Sequence, residues 1–449
     1  SIAWSEDVKT RFEAINFDVI TIDGHDFDAI ENALTSSRTS SNPTLIIAKT
    51  AIGKGAATME GSHHTHGAPL GNDELAASKA KAGFNPEESF VVPAEVKAAF
   101  DKTETGALQS KAWGKLVRKD LPLSQQNETL NALLNPDYSK VQYPDFSETA
   151  EIATRDSNHK ILNAIAKAVP SFLGGSADLA PSNKTELTGL GDFPKGRNIH
   201  FGIKEHSMAA MANAMNLYGL YRVFSATFFI FSVYLKPAAR VAALANIPQH
   251  FVWTHDSIGV GEDGATHQPI EQLSQFRAIP NFYTFRPADA TENVKCWEKA
   301  LTMSAPTAFV CSRQKLKTLK PTKVHGDVSN GGYLLTQRDD ATVTLMASGS
   351  EVMLCLQTAC VLEDKGIKCN IVSVPCFDLL CEQDKEYIDT IINPSHTVIA
   401  VEMATAMEYY KFADHVIGMT GFGESGPANE LFEKFGFTKE QLSQNIANY

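Results

Sequence analysis

Phe17-Asp18-Val19-Ile20-Thr21-Ile22 reads as a β-strand, and Thr44-Leu45-Ile46-Ile47-Ala48 reads as a second. Between them a helix opens at Asp26, with Phe27, Ile30 and Leu34 at helical spacing and Asp26 or Asp28 as its cap. Strand, helix and strand at this separation make a βαβ unit, whose strands pair in parallel. The pattern recurs late in the chain: a strand at 342–346, a helix from Glu351, and strands at 369–374 and 397–401. Between these units, strands are predicted at 172–175, 219–224, 251–254, 282–285 and 308–311, and helices at 152–169 and 205–217. Successive βα units predict an α/β fold of doubly wound parallel-sheet domains with a further α/β domain at the C-terminal end. A chain of 449 residues exceeds one hydrophobic core. Residues 134–147 and 314–332 read as linkers, and 91–147 as a helical linker region with amphipathic helices broken by Asn, Gln and Pro. The predicted domains are therefore 1–90, 148–320 and 330–449 around that region.

The composition is 43% hydrophobic and 20% charged, ordinary for a globular chain, and no apolar run reaches the length of a membrane span. A net charge of -12 argues against nucleic acid or an anionic membrane as partner, while leaving room for a local basic pocket. The seven cysteines (296, 311, 355, 360, 369, 376 and 381) are odd in number and form no C-x-x-C pair. That suits free thiols in a reducing compartment, hence a cytoplasmic protein, though an organelle stays open. The first residues, Ser1-Ile2-Ala3-Trp4, include neither an initiator Met nor a signal peptide and read as though within a domain.

Chemistry-bearing residues cluster at predicted strand ends, where α/β proteins place their sites. The densest run is Thr254-His255-Asp256-Ser257-Ile258-Gly259-Val260-Gly261-Glu262-Asp263-Gly264-Ala265-Thr266-His267-Gln268-Pro269. It combines hydroxyls, imidazoles and acids with glycines that let backbone approach a ligand. Gly61-Ser62-His63-His64-Thr65-His66-Gly67-Ala68-Pro69 places three imidazoles in a loop, open to metal or to substrate contact. Gly174-Gly175-Ser176-Ala177-Asp178 turns off a strand, and Ser182 before Asn183 is either a ligand contact or a helix N-cap. Glu205 opens an Ala/Met-rich helix expected to be largely buried. Its carboxylate then needs Lys204, Arg240 or a ligand nitrogen as partner, or else serves the helix dipole. Phe228, Phe231 and Tyr234 recur three apart, on one helical face, as core or as a stack for a planar heterocycle. Arg155 and Arg313 stand alone in sequence. With Ser182 and His255 they could clamp a phosphate.

In their order the motifs resemble the transketolase family: His66-Gly67-Ala68-Pro69, Gly174-Gly175-Ser176-Ala177-Asp178-Leu179, Gly202-Ile203-Lys204-Glu205-His206, Thr254-His255-Asp256-Ser257, Gly261-Glu262-Asp263-Gly264, Ser312-Arg313-Gln314 and Gly421-Phe422-Gly423-Glu424-Ser425. The likeness covers essentially the whole chain. It implies the thiamine-diphosphate-enzyme fold and a homodimer with active sites at the subunit interface. The implied cofactors are thiamine diphosphate and Mg²⁺ (or Ca²⁺). The implied reaction moves a two-carbon ketol unit from xylulose 5-phosphate to ribose 5-phosphate or erythrose 4-phosphate, as in the pentose phosphate pathway and the Calvin cycle. By the same resemblance Glu205 contacts the aminopyrimidine, which Phe228, Phe231 and Tyr234 enclose. Asp178 lies near the cofactor across the interface. Arg155, Ser182, His255 and Arg313 clamp the substrate phosphate. Asp263 contacts the donor's C2-side hydroxyls, and His66 and His267 line the reacting centre.

Ala265 and Lys204 depart from the family, which often has Pro and Arg there. The family also usually carries a few more residues between the equivalents of Ile2 and Ala3. The larger departure concerns the metal-binding Gly-Asp-Gly to Asn motif, which the resemblance places ahead of Ser1. The expectation is an enzyme whose N-terminal part is cleaved, deleted or otherwise outside this chain, with no metal ligand in the chain itself. The chain alone is expected to be inactive. Rival readings are a dihydroxyacetone synthase, a deoxyxylulose-phosphate synthase-like enzyme, a non-catalytic dimerising or regulatory fragment, and a zinc enzyme built on His63, His64 and His66.

Overall fold

The computed structural model describes residues 4–117, 128–147, 151–319 and 325–449. Two compact units are present, residues 1–110 and 111–449. The predicted boundaries near residues 148 and 320 lie outside the described residues, as does part of the 314–332 segment.

In the first unit, β1 (Asp18–Asp23) and β2 (Thr44–Lys49) pair in parallel around the helix Phe27–Ser37. Asp26 is the cap: its carboxylate accepts from the backbone N–H groups of Asp28 and Ala29. The helix nevertheless leaves Phe27 and Leu34 exposed.

The second unit opens with β3 (Glu151–Ala153) and the helix Thr154–Ala168, so Ile152 belongs to a strand and not to the predicted helix. Its main sheet comprises β4 (Phe172–Ser176), β5 (Asn198–His200), β6 (Arg222–Phe228), β7 (His250–Thr254), β8 (Tyr283–Phe285) and β9 (Thr307–Cys311). The strand order is β5-β4-β6-β7-β9-β8, parallel throughout. β6 starts at Arg222, later than predicted, because Gly219 ends the preceding helix in a left-handed conformation. β4 requires its glycines. A Cβ on Gly175 would lie 1.8 Å from the Ile199 carbonyl oxygen, and one on Gly174 2.3 Å from that of Phe224. Trp253, Trp297 and Phe309 are fully buried, and the rings of Trp297 and Phe309 stack with centroids 3.9 Å apart.

Neither predicted linker is a free tether. Residues 134–147 bury Val141 and Phe146 and pack Tyr138 and Tyr143 onto the core. At the start of 314–332, β10 (Lys315–Lys317) pairs antiparallel with β3. The last segment holds β11 (Tyr333–Thr336), β12 (Val343–Ala347), β13 (Cys369–Ser373), β14 (Thr397–Val401) and β15 (His415–Ile417). They form a five-stranded sheet, order β11-β13-β12-β14-β15, with β11 antiparallel at its edge. Apolar runs identify such strands but not the direction in which an edge strand pairs, so the parallel expectation holds for β12, β13, β14 and β15 and fails at β11.

Candidate active site

β4, β6, β7 and β9 are neighbours in the sheet, and their C-terminal ends deliver side chains to one place. His255 follows β7 at φ +66. A non-glycine residue in this left-handed region costs about 1–3 kcal/mol and marks a conformation held by its surroundings. Thr254 Oγ1 donates to Asn183 Oδ1 at 2.7 Å and lies 2.8 Å from His255 Nδ1. Phe228, at the end of β6, packs its ring on the imidazole with centroids 3.8 Å apart.

The two arginines, 158 positions apart, arrive by a backbone zipper. β3 pairs with β10, and beside that pairing Thr154 N–H donates to Ser312 Oγ (3.1 Å) while Ser312 N–H donates to Thr154 Oγ1 (2.7 Å). Arg155 and Arg313 each follow one member of that pair. Arg155 Nη1 donates to the Ser182 carbonyl at 3.0 Å. Ser182 lies inside the short helix Ala180–Asn183, whose N-cap is Leu179, so the capping reading fails.

The loop then folds back. Ile258–Val260 forms a 3-10 turn, Gly261 adopts φ +85 and Gly264 φ +77, and His267 N–H donates to the Gly264 carbonyl. As a result Arg155, Ser182, Lys184, Phe228, His255, Asp263, His267 and Arg313 line one cleft of about 470 Å³, together with Pro181. The electrostatics are those of an anion site. Burial first, then Arg155 and Arg313, push His255 down to about 3, so its imidazole is neutral near pH 7. Burial and the nearby Arg313 also lower Arg155 from its ordinary value. Two guanidiniums beside a neutral imidazole make a positive, hydrogen-bonding pocket.

Phe228, Phe231 and Tyr234 do not share one helical face. Phe228 ends β6, Phe231 closes a 3-10 turn, and only Tyr234 belongs to the helix Ser232–Leu244. They still form a stack, with centroids 5.7 Å apart for Phe228–Phe231 and 6.3 Å for Phe231–Tyr234. His267 meets Phe231 edge-on at 5.5 Å, and its Nδ1 lies 2.9 Å from Thr266 Oγ1. Glu205 opens the helix Glu205–Tyr218, but that helix buries one face only, leaving Met211, Leu217 and Tyr218 exposed. Glu205 is half-buried, and among the described residues neither Lys204 nor Arg240 pairs with it. Asp178 adopts φ +61 and lines an adjoining cavity of about 620 Å³ with Ser176, Lys184 and His200. His66 belongs to the first unit, where it is exposed and its N–H donates to the His63 carbonyl. Among the described residues no three His, Cys, Asp or Glu side chains stand ready to hold a metal ion, the His63-His64-His66 group included.

Sequence reasoning passed over Lys184 in the cleft and gave Asp256 no role. Asp256 is buried, and Arg286 grips it through Nη2 (2.8 Å) and Nε (3.2 Å). A buried Asp signals a hidden cation. Nothing local indicates that the cation lies 30 residues further on.

Three family models match in order: the transketolase thiamine diphosphate binding domain over residues 1–135, the transketolase pyrimidine binding domain over 150–318, and the transketolase-like C-terminal domain over 331–438. The transketolase of Halalkalibacterium halodurans is 39% identical over 458 residues, 98% of this chain and 69% of that protein.

The chain belongs to the transketolase family. The transketolase of Aquifex aeolicus is likewise 39% identical, over 99% of this chain and 67% of its own length. Among solved structures, Campylobacter jejuni transketolase superimposes with a TM-score of 0.93 at 54% identity, covering 100% of this chain and 70% of that one. Pichia stipitis transketolase in complex with xylulose 5-phosphate superimposes with a TM-score of 0.90 at 35% identity, covering 100% and 69%. The chain is thus of the thiamine-diphosphate-dependent transferase type, with the fold that goes with it. Among the described residues no helix is long and apolar enough to cross a membrane.

Proposed function

We propose that the cleft between Arg155, Ser182, His255, Asp263, His267 and Arg313 receives the sugar phosphates of a ketol transfer. The donor is a ketose phosphate such as xylulose 5-phosphate, and the acceptor an aldose phosphate such as ribose 5-phosphate or erythrose 4-phosphate. The observation that carries this reading is the convergence of widely separated segments on one cleft that brings Arg155, Lys184 and Arg313 together with Ser182 and His255. Arg155 and Arg313 neutralise the phosphate, and Ser182 and His255 hydrogen-bond its oxygens. Asp263 accepts from hydroxyls on the C2 side of the donor, and His267 serves the reacting carbons.

The cofactor side fits thiamine diphosphate. Phe228, Phe231 and Tyr234 offer a stepped aromatic wall suited to a flat heterocycle. Glu205 offers a carboxylate that has no ion-pair partner among the described residues, free to bond a ring nitrogen. When bound, thiamine diphosphate supplies the carbon nucleophile and the electron sink. Glu205 holds the pyrimidine in the tautomer whose nitrogen can take a proton, and the aromatic wall keeps the ring in place. Asp178 borders the cofactor from the neighbouring subunit. Mg²⁺ or Ca²⁺ accompanies the diphosphate, and no ligand to it is assigned in this chain.

Because His255 is neutral, it contributes a hydrogen bond and not charge. His255→Asn is therefore expected to raise KM for ribose 5-phosphate only modestly, by about 2–10-fold. Steady-state kinetics checks this, and an effect as large as that of losing an arginine would contradict it.

A homodimer explains the exposed apolar residues of the helices Glu205–Tyr218 and Ser232–Leu244, namely Met211, Leu217, Tyr218, Val241 and Leu244. The double variant Leu217→Glu, Leu244→Glu is expected to sediment as a monomer. An unchanged dimer would remove this face from the interface. Seven unpaired cysteines support a cytoplasmic setting. An acceptor panel tests the reaction itself. Ribose 5-phosphate is expected to outperform formaldehyde and glyceraldehyde 3-phosphate. Preference for formaldehyde would indicate a dihydroxyacetone synthase, and use of pyruvate as donor a deoxyxylulose-phosphate synthase.

A further inference from the structure

The loop 255–267 is held at both ends by the C-terminal segment. At its start, Arg286 joins Asp256 to three groups of that segment. Its Nη1 donates to Glu351 Oε1 (2.9 Å) and to the Ser348 carbonyl (3.2 Å), its Nη2 donates to Glu351 Oε2 (3.0 Å), and Glu402 Oε1 lies 3.4 Å from Nη1. Asp256, Arg286, Glu351 and Glu402 are all buried. Glu402 is gripped in turn by Arg277 Nη1 at 2.6 Å. The Arg286 guanidinium lies against Gly349, where a Cβ would come within 2.8 Å of it. At the other end of the loop, Gln268 Nε2 donates to the carbonyls of Gly261 and Glu424, both at 2.9 Å. Ser425 Oγ donates to the Glu262 carbonyl at 2.5 Å. Gly423 makes room for the amide: a Cβ there would fall 1.7 Å from Gln268 Oε1.

We propose that Arg286 and Gln268 are positioning residues through which the C-terminal segment fixes His255 at one end of the loop and Asp263 and His267 at the other, and so sets recognition of the substrate phosphate and hydroxyls. The geometry favours direct transmission. Asp256 is adjacent in sequence to His255, whose left-handed backbone needs an outside constraint. Gln268 is adjacent to His267 and bonds across the loop to Gly261, two residues before Asp263. Neither positioning residue lines the cleft. Each therefore acts by holding its neighbour, as a supporting shell does for catalytic groups.

The proposal rests on the phosphate reading of the cleft, so the test includes a direct control. Arg286→Lys keeps the charge and loses the fork that spans Asp256 and Glu351. Gly423→Ala displaces Gln268 from a point remote from substrate. In the holoenzyme, Arg286→Lys is expected to weaken ribose 5-phosphate binding about tenfold by calorimetry, while KM for the phosphate-free acceptor glycolaldehyde stays within about twofold. Gly423→Ala is expected to lower kcat/KM for xylulose 5-phosphate about tenfold relative to that for ribulose 5-phosphate, which differs in hydroxyl stereochemistry. A merely destabilised protein would lose both members of each pair alike, and that result would overturn the proposal. Arg313→Ala separates the two failures. If it weakens ribose 5-phosphate binding and Arg286→Lys does not, the positioning role is wrong. If Arg313→Ala is itself silent, the phosphate reading is wrong.

Discussion

Glu205→Ala in the thiamine-diphosphate-loaded holoenzyme should slow ketol transfer from xylulose 5-phosphate to ribose 5-phosphate by about 10²–10⁴-fold, the range for a group that governs a proton transfer. The structure places the carboxylate at the first turn of Glu205–Tyr218, half-buried and without an ion pair among the described residues. A carboxylate committed to structure would be expected to show such a partner. The helix is tied to its neighbour independently of Glu205: Asn213 Nδ2 donates to the Ala238 carbonyl at 2.9 Å, and Met208, Ala209 and Ala212 are fully buried. The substitution is thus expected to spare the fold, and an unchanged melting temperature serves as the control. Turnover within about tenfold of the parent would take Glu205 out of the proton-transfer role.

Arg313→Ala is expected to raise KM for ribose 5-phosphate by about 10–150-fold with little change in kcat. A hydrogen bond to a charged group contributes about 1.5–3 kcal/mol, and each 1.4 kcal/mol is a factor of ten. Loss in KM alone is the signature of binding made equally in ground and transition states. Arg313 is exposed, so its removal leaves no buried group unpaired. Arg155, half-buried and donating to the Ser182 carbonyl, would be the less clean test, because its loss also frees that carbonyl. A fall in kcat with KM unchanged would place Arg313 at the reacting centre instead of the phosphate.

The residues that were legible in the sequence are those whose signal is local. The strand that ends at Thr254 and the glycines after it announce a loop at a strand end, and that loop holds His255, Asp263 and His267. The βαβ pattern of residues 17–48 shows the same economy, since period and length alone identify it. The apolar stripe was legible as an aromatic group but not as a shape. Spacing of three suggests a helix, whereas the chain passes from strand through a 3-10 turn into helix between Phe228 and Tyr234. The Ala/Met richness of Glu205–Tyr218 suggested burial all round. Half of that helix is instead an apolar outer face, and one chain's sequence does not distinguish a core from a surface that a second copy would cover. Least legible were the long-range anchors. Arg286 with Asp256, Glu351 and Glu402, and Gln268 with Glu424, join residues 30 to 156 positions apart, and no periodicity reports such pairings.

Isothermal titration of ribose 5-phosphate and of ribose into the parent protein and into Arg313→Ala addresses the phosphate cleft without recourse to turnover. The parent should bind ribose 5-phosphate at least about tenfold more tightly than ribose, and Arg313→Ala should erase most of that difference. Equal affinity for the two sugars in the parent, or a phosphate preference that survives Arg313→Ala intact, would contradict the assignment of this cleft to sugar phosphates.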